Sequence, residues 1–169
     1  MPNIEISEMP DSARVWVFGA AAPVVGVHHE RLMSAVDSYL SGWRANGAPL
    51  LCARDWRDDR FLAIAVDEAA TDASGCSIDG MFRTLANAEA DVGTSLVGGG
   101  RIFWRDATGE VRSGTRKEFV AAAGSADVSL DTPVMDLTIS TVGEWRTRFE
   151  RPASETWHAK LVAGAATTS

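Results

Sequence analysis

The run FLAIAV, residues 61 to 66, contains no polar side chain. A strand with one face in water alternates apolar and polar residues; a strand that does not alternate must be covered on both faces. Charged residues border it closely, with Arg57-Asp58-Asp59-Arg60 before it and Asp67-Glu68 after it. The preceding run, 49 to 56, is also rich in strand-forming residues, so the charged triplet 57–59 reads as the turn of a hairpin. FLAIAV is then the central strand of a sheet, and whatever else the chain forms must pack on its two sides.

The flanking segments supply those partners. RVWVFGA, residues 14 to 20, reads as a strand ended by Gly19. The segment from His28 to Gly47 carries Leu32, Val36, Tyr39, Leu40 and Trp43 at helical spacing, with Asn46-Gly47 as a stop signal. Ile78, Phe82, Leu85 and Val92 predict a second helix face, ended by Gly93, and RIFWRD (101–106) predicts a further strand. The order strand, helix, strand, strand, helix, strand predicts an α+β fold. Its core is a ferredoxin-like split β-α-β arrangement, an antiparallel sheet with two helices on one face. Beyond it, Thr115…Glu118 and Thr141…Glu144 have the spacing of helix capping boxes. VMDLTIS (134–140) suggests a fifth strand, and Ser154 a cap for a last short helix carrying Trp157 and His158; the tail GAATTS is expected to fray. We expect one domain over 1–169, with a core at about 12–107 and helical C-terminal additions at about 108–163.

Composition limits the functions open to such a domain. The net charge of -7 sets the chain against phosphate backbones, and the only basic run is the short RSGTRKEF (112–119). This argues against a nucleic-acid partner. The N-terminus lacks the basic and apolar regions of a signal peptide, and no apolar stretch reaches the ~18 residues of a membrane span. Two cysteines, Cys52 and Cys76, are too few for a disulfide framework. The expectation is a cytoplasmic protein with both thiols reduced. His28 and His29 are adjacent and cannot form an i, i+4 metal pair, so no metal is expected. No Gly-Lys dipeptide occurs, and Gly98-Gly99-Gly100 precedes a strand rather than a helix, so a phosphate loop is excluded and no cofactor is expected. Of six tryptophans, Trp56 at the hairpin is the one expected to be exposed.

The segment VDEAATDASGCSIDG (66–80) concentrates the candidate chemistry. It reads as a strand end, a loop and a helix mouth, with Cys76 at the mouth. Backbone N–H groups there are unpaired within the helix, and the macrodipole is positive, so a thiolate or a bound anion is stabilised. Ser74, Gly75 and Ser77 form the approach in which amides could converge on an oxyanion. Asp67 ends the preceding strand, and Asp79 stands three residues after the thiol. Three readings follow. Cys76 is a small packed residue with Ser77 or Asp79 capping the helix; or the mouth seats an anionic ligand; or Cys76 is a nucleophile with His158 or a carboxylate orienting its base, and Trp157 beside it. Asp79 weakens the third, because a nearby carboxylate raises a thiol's pKa. The first functional choice is therefore a non-catalytic module binding a small anionic ligand or a protein partner. A thiol-dependent enzyme is the alternative.

The string SGCSID, the strand end VDE at its spacing, the helix ending GWRANG and the late Thr156-Trp157-His158 together resemble a family of small bacterial proteins, common in Bacteroidetes. Its members often carry the label "ABC transporter ATPase". The resemblance covers most of the chain. It implies a role for Cys76, Ser77, Asp79, Asp67 and His158 without implying a reaction; the missing lysine motif gives the ATPase label no footing here.

Overall fold

A computed structural model of the chain describes residues 4–45, 48–68 and 78–167. The chain divides into two compact units, one of Met1–Val97 with Thr138–Arg146, the other of Gly98–Leu137 with Thr147–Ser169.

The first unit is built on the hairpin that the sequence predicts. Strand β4 (Cys52–Arg57) pairs antiparallel with β5 (Phe61–Val66), and β5 pairs antiparallel with β1 (Arg14–Gly19), giving the order β1-β5-β4. All six residues of β5 are buried, as a central strand requires. Leu62, Ile64 and Val66 share one cluster with Phe18 and Cys52 and with residues of two helices, α1 (Gly26–Ser41) and α2 (Asp79–Val92). Phe61, Ala63 and Ala65 are buried on the opposite face. At the hairpin turn Asp58 and Asp59 have φ of 55° and 57°, and Arg60 N donates to the Arg57 carbonyl at 3.0 Å. Positive φ at both central residues matches the right-handed twist of the strands, and Asp tolerates it better than most side chains.

The helices differ in detail from the sequence pattern. Leu32, Val36 and Leu40 are buried on α1 as expected, with Met33 added. The helix stops at Ser41, ahead of Asn46-Gly47; residues 44–45 instead pair with 48–49 as short strands β2 (Arg44–Ala45) and β3 (Ala48–Pro49). Asn46 and Gly47 lie outside the described residues. On α2 the buried residues are Met81, Leu85 and Val92, whereas Phe82 is exposed and touches the Phe18 ring edge-on at 5.1 Å. Gly93, at φ 77°, ends α2 as predicted.

The second unit holds an antiparallel sheet of order β7-β6-β8-β9, from β6 (Ile102–Arg105), β7 (Val111–Gly114), β8 (Pro133–Met135) and β9 (Glu150–Pro152). Helices α3 (Arg116–Gly124) and α5 (Ala159–Thr167) pack with it, and Phe119, Val134, Ala153 and Val162 share its core. Helix α4 (Val142–Thr147) starts in the first unit. Both predicted capping boxes form. Thr115 Oγ1 accepts from Glu118 N at 3.1 Å while Glu118 accepts from Thr115 N at 3.0 Å; Thr141 and Glu144 do the same at 3.2 Å each way.

The fold is thus α+β with antiparallel sheets, but the order does not clearly match a ferredoxin-like sheet. The strand at 102–105 does not return to β1. The backbone of 140–142 lies along that edge of β1, with Val15 N on the Ser140 carbonyl at 2.9 Å and Val142 N on the Ala13 carbonyl at 2.9 Å. VMDLTIS accordingly contributes only its first residues to β8. The final helix starts at Ala159, so Trp157 and His158 precede it, Ser154 lies in a 3-10 turn, and helix continues to Thr167 where fraying is expected. Among the described residues no helix is long and apolar enough to cross a membrane.

The hairpin turn yields a test. Asp59→Gly removes the left-handed strain at the second central position and should raise stability by about 0.5–1 kcal/mol, read as a higher urea midpoint at unchanged m-value.

Candidate functional site

The aromatic residues of the first unit form a line that ends at the mouth of α2. Arg14, at the start of β1, places its guanidinium 4.3 Å from the Trp16 ring centre and 3.3 Å from a Glu68 carboxylate oxygen. Alternation along β1 puts Arg14, Trp16 and Phe18 on the face that α1 and α2 cover. Trp16 meets Trp43 at 5.9 Å between ring centres, and Trp43 meets Tyr39 at 5.6 Å. Tyr39, in the last turn of α1, then lies against Gly80 of α2. A Cβ on Gly80 would stand 2.5 Å from the Tyr39 hydroxyl oxygen and 2.6 Å from Cε2. The close approach of the ring, not the backbone, favours glycine there: the backbone lies in an ordinary helix, and a Cβ would have to push the end of the Tyr39 side chain aside.

The N-cap residue of α2 is Ile78, which makes no side-chain cap hydrogen bond, and Asp79 is the first helical residue and the only acidic group in the first turn. An isoleucine has no atom that can accept from the first amides, unlike the hydroxyls that cap α3 and α4. Asp79 is exposed, and Asp67 donates its backbone N–H to the Leu51 carbonyl at 2.9 Å. Ser74, Gly75, Cys76 and Ser77 lie outside the described residues.

The remaining cysteine is structural. Cys52 is fully buried, its Sγ donates to the Leu40 carbonyl at 3.7 Å, and burial pushes its thiol up to about 11. A thiol in that state is chemically quiet.

His158 belongs to the second unit, whereas Asp67 and Asp79 belong to the first. It has no solvent exposure. Its ring stacks on Trp157 at 3.9 Å and meets Phe119 edge-on at 5.7 Å. Nδ1 lies 2.7 Å from Thr156 Oγ1, and Nε2 has no hydrogen-bond partner among the described residues. Burial pulls its pKa down to about 4, so the imidazole is neutral at pH 7. Trp157, at 39% exposure, is the exposed tryptophan; Trp56 is half-buried, and its ring lies 5.3 Å from that of His29. His28 Nδ1 lies 3.1 Å from the Asp91 carbonyl. Among the described residues no three His, Cys, Asp or Glu side chains gather as a metal site.

One cleft escaped the sequence reading. It has a volume of about 690 Å³, and its walls include Glu5, Glu8, Asp37 and Arg54. Arg54 is held by Asp37 through Nε at 2.5 Å and Nη2 at 3.0 Å. Glu5 caps and Glu8 ends a 3-10 turn far in sequence from Asp37 and Arg54, so no local motif could have announced the cleft. Comparison of the chain with protein-family models, with curated proteins and with solved structures gives no match.

The Gly80 contact gives a direct test of the α2 mouth. Gly80→Ala gains helix propensity of up to about 1 kcal/mol. Forcing the Tyr39 ring off Trp43 costs about 1–3 kcal/mol, so the net change should be a loss of about 1 kcal/mol. Tyr39→Leu in the same chain should recover most of it, measured as a double-mutant cycle in urea.

Proposed function

We propose that this chain is a non-catalytic binding module that accepts an anionic group, of a small ligand or of a protein partner, at the mouth of α2. The observation that carries the reading is the N-cap. A helix of 14 residues opens on Ile78, a residue with no acceptor for its first amides. Those amides and the macrodipole favour a negative charge by about 0.3–1 kcal/mol at an exposed site. Tyr39, half-buried against Gly80, is the aromatic ring that adjoins the mouth; Trp43 behind it is buried, and Arg14 at the other end of the line pairs with Glu68. The same reading includes a first unit related to a split β-α-β core, kinship with the SGCSID family and a reducing cytoplasm in which Cys76 remains a thiol.

Asp79 decides the sign of the test. Its carboxylate stands in the first turn, where it already interacts with the dipole that an incoming anion would use. Asp79→Asn should therefore tighten binding of inorganic phosphate or acetate about two- to fivefold. The measurement is an NMR titration of the Gly80 and Met81 amides at fixed ionic strength. Unchanged or weaker binding in the variant refutes the anion site.

The competing thiol enzyme is separated by labelling. Cys52, buried and with its pKa raised to about 11, serves as an internal slow control. In a binding module Cys76 alkylates with iodoacetamide at pH 6–7 no faster than an unactivated thiol. Labelling at least tenfold faster than a free-cysteine peptide would favour the enzyme.

A further inference from the structure

We propose that His158 is a proton-operated latch that keeps α5 docked in the second unit only while its imidazole is neutral. The latch goes beyond the binding reading and is independent of it.

The geometry denies a proton a place on every side. Thr156 Oγ1 carries one hydrogen, and it contacts His158 Nδ1 at 2.7 Å, His158 N at 3.2 Å and the Ala153 carbonyl at 3.2 Å. If that hydrogen points to the carbonyl, Nδ1–H donates to Oγ1 and Nε2 is a bare acceptor. If it points to Nδ1, Nε2 carries the hydrogen without an acceptor. Either tautomer leaves one polar atom unmet in a buried place, which is unfavourable. A doubly protonated ring would add a charge to that same atom, between the Trp157 and Phe119 rings.

The charged neighbours do not relieve it. Asp136, after β8, is the favourable one, but it is buried and already pairs with Arg151 of β9 at 3.0 Å; Arg151 acts on the ring with the opposite sign. On α3, Arg116 reaches within 6.0 Å of the Trp157 ring, while Lys117 and Glu118 are exposed. On α5, Lys160 is exposed. The His158 carbonyl accepts from Leu161 N at 3.0 Å and Val162 N at 3.2 Å, so the ring sits at the positive end of α5, where a cation is disfavoured.

The consequence for pH follows from linkage. The folded pKa, about 4, lies below the ordinary 6.5. An open state in which the ring meets water takes up a proton as pH falls through 6.5, and the docked state does so only near 4. Docking is therefore at full strength above about pH 7 and weakens steadily below it.

Amide hydrogen exchange on the whole chain tests this. Protection of the α5 amides, corrected for intrinsic exchange, should fall about 30-fold between about pH 7.5 and about pH 5, and in His158→Phe it should not change with pH. In the wild-type protein the His158 imidazole, followed by its Cε1 NMR signal, should remain a single neutral tautomer down to about pH 5. A ring that titrates near 6.5 in the folded chain overturns the latch, as does an unaltered loss of protection in His158→Phe. If that variant does not fold, the wild-type imidazole titration decides alone.

Discussion

Burial of β5 on both faces is the constraint on which the first unit rests. Six consecutive apolar side chains cannot be satisfied by a hairpin alone, because β4 and β1 protect only the edges of the strand. Leu62, Ile64 and Val66 need a layer above them, and α1 and α2 supply it through Leu32, Val36, Leu40, Met81 and Leu85. Once those helices lie on the sheet, the position of the α2 mouth is no longer free. The second residue of α2, Gly80, lies against Tyr39 of α1. The close contact between Tyr39 and Gly80 is thus a consequence of core packing that also shapes the candidate site.

Electrostatics at that mouth are finely balanced. The helix end favours an anion, and an internal carboxylate, Asp79, already stands in its first turn. Arg14, at the Trp16 end of the aromatic line, is paired with Glu68. Surface terms of this kind are small and are screened by salt. Trp43 is buried and Trp16 and Tyr39 are half-buried, so ring packing rather than charge fixes the local geometry.

The second unit shows the opposite economy. Its buried Asp136–Arg151 pair satisfies two charges against each other. His158, a few residues on, is satisfied at one nitrogen only. A phenylalanine would fill the same space without an unmet polar atom. The imidazole therefore costs stability, and the proposed latch is the use that the geometry points to.

Local signals were legible wherever the residue and its partner are neighbours in sequence. The central strand FLAIAV, the hairpin at Arg57-Asp58-Asp59, the end of α2 at Gly93 and both capping boxes depend on contacts within a few residues, and each is present as the pattern implies. The burial of Cys52 was not legible from period-two alternation, since its neighbour Ala53 is buried too; the packed helices and sheet decide it. Long-range choices were not legible. Nothing within 102–105 names its partners: the strand pairs with β7 and β8, while the backbone of 140–142 lies along β1. The exposure of Phe82, the clamp of Tyr39 on Gly80, the Arg54–Asp37 cleft and the sealing of His158 against Phe119 depend on residues 17 to 64 positions apart. Periodicity specifies which face of an element is apolar; only the packed structure specifies what that face meets, because the meeting is set by volumes and hydrogen-bond geometry that no single segment contains.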